Sequence, residues 1–381
     1  MKEGRTAHEI AERVRKFRPV AVAHPLLLAA RDSLMAAISE SPAGSIIMIF
    51  GPTGVGKTTL RLKVQQLLHE QSQSLMNRDP GRLPFVAVEA AAPDNANFSW
   101  KDHYLRTLGE LNEPMLDAKL TPRWIHFAPD PQGRQLVRPY TPAIELRCAL
   151  ESALLHRRPA AIFIDEAQHL TRMSSGRRVA DQLEVIKSLA SCTRTTHVLL
   201  GTYDLLTLRH LNGQLGRRSQ DIHFRRYRAE CAEDVRIFKN ALLTFQKHLP
   251  LSDPPDLIAQ WELLYERSVG CVGILKEWLE RALVTALKDG SETLKGKHLE
   301  STALSATQCE KIVLEAHEGE KLLLAADQAR PRLRALLGLE KAPDRSPVNT
   351  LHHQKRVGLR KPARDRIGDT STSSRSAHCG V

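Results

Sequence analysis

The chain has 381 residues, 42% of them hydrophobic, and carries a net charge of +12, so it holds enough apolar material for sizeable cores under a basic surface. No stretch reaches the roughly 18 to 20 consecutive apolar residues of a membrane span, and Met1-Lys-Glu-Gly-Arg5 lacks the apolar segment of a secretory signal. A cytoplasmic protein without a membrane partner is expected; six scattered cysteines with no CxxC pair argue against a disulfide or zinc framework, and nucleic acid is the leading polyanionic partner.

Residues 1–44 read as an N-terminal helical extension. Thr6-Ala-His-Glu9 is a capping-box pattern opening a helix through Phe17, and Pro25 opens a second through about Ile38. Ser41-Pro-Ala-Gly44 then breaks the chain. Ile46-Ile-Met-Ile-Phe50 is a continuous apolar run leading straight into glycine, the pattern of a strand buried on both faces of a parallel sheet. A helix over Thr58–Gln71, a strand over Phe85–Glu89 and a helix over Trp100–Leu111 follow. Six prolines then mark an irregular insert at 112–142. A helix over Ala143–His156, a strand over Ala160–Ile164, a helix over Val179–Ala190 and strands at His197–Leu200 and Ile222–Tyr227 complete a core spanning 45–228. Such alternation predicts an α/β class with a parallel sheet flanked by helices.

After Ala229 the strand signals stop. Helical runs at Glu233–His248, Pro255–Arg267 and Ile274–Leu287, with more near His298–Ala316 and Lys321–Leu336, predict an all-helical lid with C-terminal helices over 229–340. Residues 341–381 hold nine Lys/Arg against three Asp and no core-forming pattern, and read as a basic, disordered tail.

Two motifs carry chemistry. Gly51-Pro52-Thr53-Gly54-Val55-Gly56-Lys57-Thr58-Thr59 has the spacing of a P-loop, set between a buried strand and a helix. Glycines let backbone N–H groups wrap phosphate oxygens, Lys57 reaches the outer phosphates of ATP, and Thr58 offers a hydroxyl to Mg²⁺. Downstream, Ile162-Phe-Ile-Asp165-Glu166 places a carboxylate at the end of a strand. Asp165 is suited to hold Mg²⁺ through water, and Glu166 to polarise the attacking water, so ATP hydrolysis to ADP and phosphate is expected. Thr202, after the strand ending in Gly201, offers a hydroxyl to orient the lytic water. Arg217 or Arg218 is placed to reach a neighbouring subunit's γ-phosphate as an arginine finger.

With these residues in hand, the chain resembles the TniB/TnsC-type AAA+ ATPases of bacterial transposons, from about Val20 to Ala286. The resemblance rests on Ile49-Phe-Gly-Pro-Thr-Gly-Val-Gly-Lys-Thr-Thr59, Ile164-Asp-Glu-Ala-Gln-His-Leu170, Leu200-Gly-Thr202 and Gln214-Leu-Gly-Arg-Arg218. It implies an AAA+ P-loop core with a helical lid. It further implies a regulator of DNA transposition that binds ATP, forms a homo-oligomeric ring or filament on double-stranded DNA, and couples a target-selection protein to a transposase. Lys101, beside Trp100, lies where the resemblance implies a pore-facing DNA contact; Arg123, Arg134 and the pair Arg225-Arg226 are further candidates. Gly270-Cys-Val-Gly273 puts glycine where many AAA+ lids carry a second sensor arginine, leaving Lys276 as the available substitute. The insert and the basic tail are additions to the family pattern. The same core also suits a helicase loader of the IstB sort or a non-DNA signalling ATPase. A helicase-docking segment is not distinct in the sequence, however, and the length leaves no room for long repeat or effector domains.

Overall fold

The computed structural model describes residues 6–93, 98–113, 142–171, 179–210, 219–327 and 330–339. Most of the insert, the basic tail, and the candidates Arg123, Arg134, Arg217 and Arg218 lie outside the described residues.

The apolar run after the Ser41–Gly44 break forms the central strand β1 (Ile46–Phe50), with every residue buried. Its parallel neighbours are β4 (Thr196–Gly201) and β5 (Ser219–His223), and β3 (Ala161–Asp165) and β2 (Phe85–Glu89) extend the sheet in the order β2-β3-β4-β1-β5. Phe50 pairs with Gly201, and Ile164 with Leu199. That register brings the loop after β1, the last residue of β3 and the residue after β4 out along one edge of the sheet, where open α/β folds bind ligands.

Period-two alternation sends Ile47 and Ile49 to one face, with Leu34, Leu60 and Val64 of the helices α2 (Pro25–Glu40) and α3 (Lys57–Arg78). Met48 and Phe50 go to the other, with Leu108, Leu150 and Ile186 of α4 (Trp100–Glu110), α5 (Ala143–Arg157) and α6 (Val179–Thr193). The short helix α7 spans Leu206–His210. α3 runs past the expected Gln71 to Arg78, because the Glu and Gln residues at its end favour helix without an apolar stripe. β5 begins three residues earlier than the apolar run Ile222–Tyr227 predicts. It is an edge strand whose first residues, Ser219, Gln220 and Asp221, are polar, and beyond His223 the chain leaves the ladder.

The lid consists of α8 (Ala232–His248), α9 (Trp261–Ser268), α10 (Val272–Lys288), α11 (Gly296–Thr302) and α12 (Ala306–Asp327). Trp278, Phe238, Phe245 and Leu283 form its core, and Val14 and Phe17 of α1 (Ala7–Phe17) join them. α1 opens with the expected capping box between Thr6 and Glu9. The predicted helix at Pro255 starts only at Trp261, since Asp256 Oδ1 accepts the N–H groups of Ile258 and Ala259 in a local turn. The single helix expected over His298–Ala316 is broken at Ala303–Ser305, where Ser305 and Gln308 cap α12 reciprocally. α12 then continues unbroken to Asp327. Residues 1–326 form one unit, and the short helix α13 (Arg330–Leu336) belongs to a second. Among the described residues no helix is long and apolar enough to cross a membrane.

Candidate nucleotide-hydrolysis site

The loop after β1 folds as the P-loop spacing demands. Gly56 sits at φ 112°, a region closed to side chains, and a Cβ at Gly51 would fall 2.0 Å from the Phe224 carbonyl oxygen. Lys57 opens α3 and is buried. Its Nζ donates to the loop carbonyls of Gly51 at 3.0 Å and Pro52 at 2.9 Å. Burial lowers its pKa from the ordinary lysine value, opposed chiefly by the Glu166 carboxylate and, more weakly, by Asp165. The ammonium is therefore satisfied by the loop itself, in the place where phosphate oxygens would take over.

At the end of β3, Asp165 Oδ2 accepts the Thr58 hydroxyl at 3.4 Å and the Arg61 Nε–H at 3.0 Å. The Arg61–Asp165 ion pair is mostly shielded, with the side chains 19% and 10% exposed. Arg61 was invisible to motif reading because it lies one helical turn beyond the P-loop, where no spacing rule reaches; an arginine at i+4 from Lys57 on the sheet-facing side of α3 is the only signal. Glu166 occupies the left-handed region at φ 52°, and its N–H donates to Asp165 Oδ1 at 3.0 Å. Its carboxylate accepts from Gln168 Nε2, and Gln168 Oε1 accepts the Thr202 N–H at 3.2 Å. Thr202 Oγ1 is buried and meets no hydrogen-bond partner among the described residues. The structure thus brings together the expected Lys57, Thr58, Asp165, Glu166 and Thr202, and adds Arg61 and Gln168.

The lid closes directly on the P-loop. Ile274 N–H donates to the Gly54 carbonyl at 3.1 Å, and a Cβ at Gly273 would fall 2.3 Å from that same oxygen. Glycine at 273 is therefore a steric requirement of the loop–lid contact, which accounts for the missing sensor arginine. Lys276 does not substitute for it: its Nζ donates to the Arg18 carbonyl at 2.6 Å. Beside this contact a slot is lined by Val22, His24, Val55, Gly56, Thr59 and Gly273. Burial holds His24 down at about 4, so it is neutral, and its Nδ1 lies 2.8 Å from the Tyr227 hydroxyl.

On the opposite side a cavity of about 370 Å³ opens between Pro52, Thr53, Gln168, Thr202 and the helix α12. α12 rests on Tyr203, whose ring leaves no room for a side chain at Gly319. Its buried Glu320 pairs with Arg226 at 3.4 Å and Arg228 at 3.1 Å. Arg225 pairs with Asp234, whose hydrogen bond raises the guanidinium pKa. Arg225 and Arg226, read as DNA candidates, are thus both engaged in internal ion pairs. Lys101 lies in the first turn of α4, whose N-cap is Ser99.

Residues 42–208, which contain the P-loop, Asp165, Glu166 and Thr202, match the family model described as an AAA domain. Together with the parallel sheet order and the helical C-terminal region, this defines the fold class as AAA+ P-loop. Among solved structures the chain is similar to the ORC2 protein of Aeropyrum pernix in its ADPNP–ADP complexes, at 17% identity and a TM-score of 0.50, covering 76% of this chain and 72% of that one. Also similar are the Aeropyrum pernix ORC1 protein in complex with DNA (17% identity, TM-score 0.49, covering 74% and 65%) and Cdc6p from Pyrobaculum aerophilum (15% identity, TM-score 0.44, covering 76% and 69%). At 17% identity the likeness to the ORC2 protein is one of fold. No curated protein sequence matches the chain.

Proposed function

We propose that this protein is an ATP-hydrolysing AAA+ regulator of DNA transposition, which assembles on duplex DNA and recruits or activates a transposase. The observation that carries the hydrolytic part is the convergence of Lys57, Thr58, Asp165, Glu166 and Thr202 on one edge of the sheet. The loop N–H groups and Lys57 receive the outer phosphates of ATP, whose oxygens replace the Gly51 and Pro52 carbonyls as partners of Nζ. The Thr58 hydroxyl and the Asp165 carboxylate are hard oxygen donors within 3.4 Å of each other, a pair that suits Mg²⁺. Held there, the ion supplies positive charge against the phosphates. Glu166 takes the proton of the attacking water, and the Thr202 hydroxyl orients that water or the γ-phosphate. Arg217 or Arg218 completes the site of a neighbouring subunit.

The DNA part rests on the net charge of +12 and on Lys101, Arg123 and Arg134. The transposition part rests on the Asp165–Leu170 and Gln214–Arg218 strings. Nucleotide that closes subunits in register multiplies phosphate contacts, so duplex DNA should bind tightly only with ATP. The test is DNA affinity with ATP, with ADP and without nucleotide at two salt concentrations. The expected result is ATP-dependent binding whose logarithm falls with log salt at a slope near 0.9 per phosphate contact, with little dependence on base sequence. Equal binding in all three nucleotide states, or none to duplex DNA, overturns the reading.

A further inference from the structure

One side chain joins the ends of two strands in this site. Gln168 lies in the 3-10 turn Ala167–Thr171 after β3 and is buried, with 7% of its surface exposed. Its Nε2 donates to Glu166 Oε2, and its Oε1 accepts the Thr202 N–H at 3.2 Å. The partners fix which way the amide faces. A main-chain N–H can only donate and a carboxylate can only accept, so the oxygen must meet Thr202 and the NH₂ must meet Glu166. A carboxylate of the same length would repel Glu166, and an apolar chain of that length would serve neither partner.

The surroundings are shaped around this amide. A Cβ at Gly201 would fall 2.5 Å from Gln168 Oε1, so β4 ends in glycine where the amide passes. The Thr171 hydroxyl donates to the Gln168 carbonyl at 2.7 Å and pins the turn from behind. At the far end, the residue whose N–H Gln168 receives also carries the buried Thr202 hydroxyl, which has no partner among the described residues, and Gln168 and Thr202 both line the cavity beside Pro52 and Thr53.

We propose that Gln168 is a positioning residue for hydrolysis. It holds the Glu166 carboxylate in one rotamer and ties that rotamer to the main chain at Thr202, so that whatever the Thr202 hydroxyl meets in the cavity is felt at the base. This rests on the reading of Glu166 as the group that takes the water's proton. Packing alone would not require an amide here: a methionine would fill the same volume.

The experiment is steady-state ATP turnover by the full chain with Mg²⁺, alongside binding of a fluorescent ADP and thermal melting. The variants are Gln168→Met, Gln168→Glu, Gly201→Ala, Glu166→Gln and the double change Gln168→Met/Glu166→Gln. Gln168→Met should lower kcat about ten- to a hundredfold while KM and ADP affinity stay within about threefold of wild type. Gly201→Ala should reproduce that split by displacing the amide. Gln168→Glu replaces the amide donor with a second carboxylate facing Glu166, so kcat should fall at least as far as in Gln168→Met while ADP affinity holds. The double variant should fall no further than Glu166→Gln alone, because Gln168 acts through Glu166. Wild-type kcat in Gln168→Met, additive losses in the double variant, or a loss confined to KM, ADP affinity or melting temperature overturns the assignment. Should Gln168→Met not fold, Gly201→Ala and the isosteric Gln168→Glu decide by the same criteria. Wild-type protein that binds ADP yet turns over no ATP overturns the hydrolytic reading itself, and the Gln168 assignment with it.

Discussion

Two charged side chains in the site are each held by a partner that ATP and its metal would have to displace. Lys57 spends its donors on the carbonyls of Gly51 and Pro52, and Asp165 accepts from Arg61 at 3.0 Å. The first pairing joins an ammonium to neutral carbonyl oxygens, which phosphate outcompetes because it adds a full opposite charge to the hydrogen bonds. The second sets one cation against another. With both side chains four-fifths or more shielded, the Arg61–Asp165 pair carries more than a surface bridge. Removing the guanidinium frees the carboxylate, so Arg61→Ala should lower the Mg²⁺ concentration needed for half-maximal binding of an ATP analogue by about three- to fivefold, the equivalent of ~1 kcal/mol. A Mg²⁺ titration followed by fluorescent-nucleotide binding checks this; an unchanged or raised requirement means that Arg61 orients the carboxylate instead of competing for it.

At the scale of elements, legibility followed the apolar runs. β1, β3 and β4 are buried on every residue and are legible to within one residue at each end as Ile46–Phe50, Ala160–Ile164 and His197–Leu200, whose centres are apolar. β5, read from Ile222 to Tyr227, is caught only at its end, because its first residues, Ser219, Gln220 and Asp221, have turn-like composition. The P-loop and the Asp165–Glu166 pair were legible because phosphate and metal chemistry dictate both residue type and spacing. Gln168 and Arg61 were not, since their roles depend on which strand ends lie side by side, a property of sheet order and not of local sequence. The glycine at 273 shows the same limit. It reads as the absence of an arginine, whereas its physical content is a contact with the Gly54 carbonyl that any Cβ would break. Gly273→Ala should therefore push α10 off the P-loop and weaken ADP binding by about tenfold or more, a loss of at least ~1.4 kcal/mol of the kind overpacking produces. Calorimetric titration with ADP reads this directly, and wild-type affinity in that variant would mean the lid contact gives way without cost.

At the scale of the whole molecule, His24, His103 and His197 are buried in different layers: His24 between α2 and the lid, His103 on α4 and His197 on β4. Desolvation holds each near 4, well below the ordinary histidine value of 6.5. Each folded-state pKa is depressed, so the unfolded chain binds more protons between pH 4 and 6.5, and stability is complete above 6.5 and falls as pH drops toward 4. At pH 5 each should cost on the order of 1–2 kcal/mol. The melting temperature of the full chain should thus be level from pH 7 to 8 and drop by several degrees at pH 5, and a flat profile would refute the neutral, buried state of these rings.

Assembly is the other property that belongs to no single element. On the proposed reading one chain supplies the phosphate-binding lysine, the metal-binding oxygens and the base, and among the described residues the site is open along the cavity beside Pro52, Thr53 and Thr202. Among the described residues nothing cationic lines that cavity, although in the proposed hydrolysis charge develops on the γ-phosphate and needs a counter-charge. If the counter-charge is Arg217 or Arg218 of another copy, turnover per molecule must rise with protein concentration until the oligomer saturates. The arginine-deficient protein Arg217→Ala/Arg218→Ala keeps an intact P-loop, and Lys57→Ala keeps intact arginines. Each alone should be inactive, yet a mixture should recover part of the wild-type rate, because mixed interfaces pair a working P-loop with a neighbour's arginine. Since an arginine finger contributes about three to five orders of magnitude in rate, even a small fraction of such interfaces stands out above the two inactive parents. Turnover per molecule that stays constant over a hundredfold dilution, with no recovery on mixing, would place every catalytic group within a single chain.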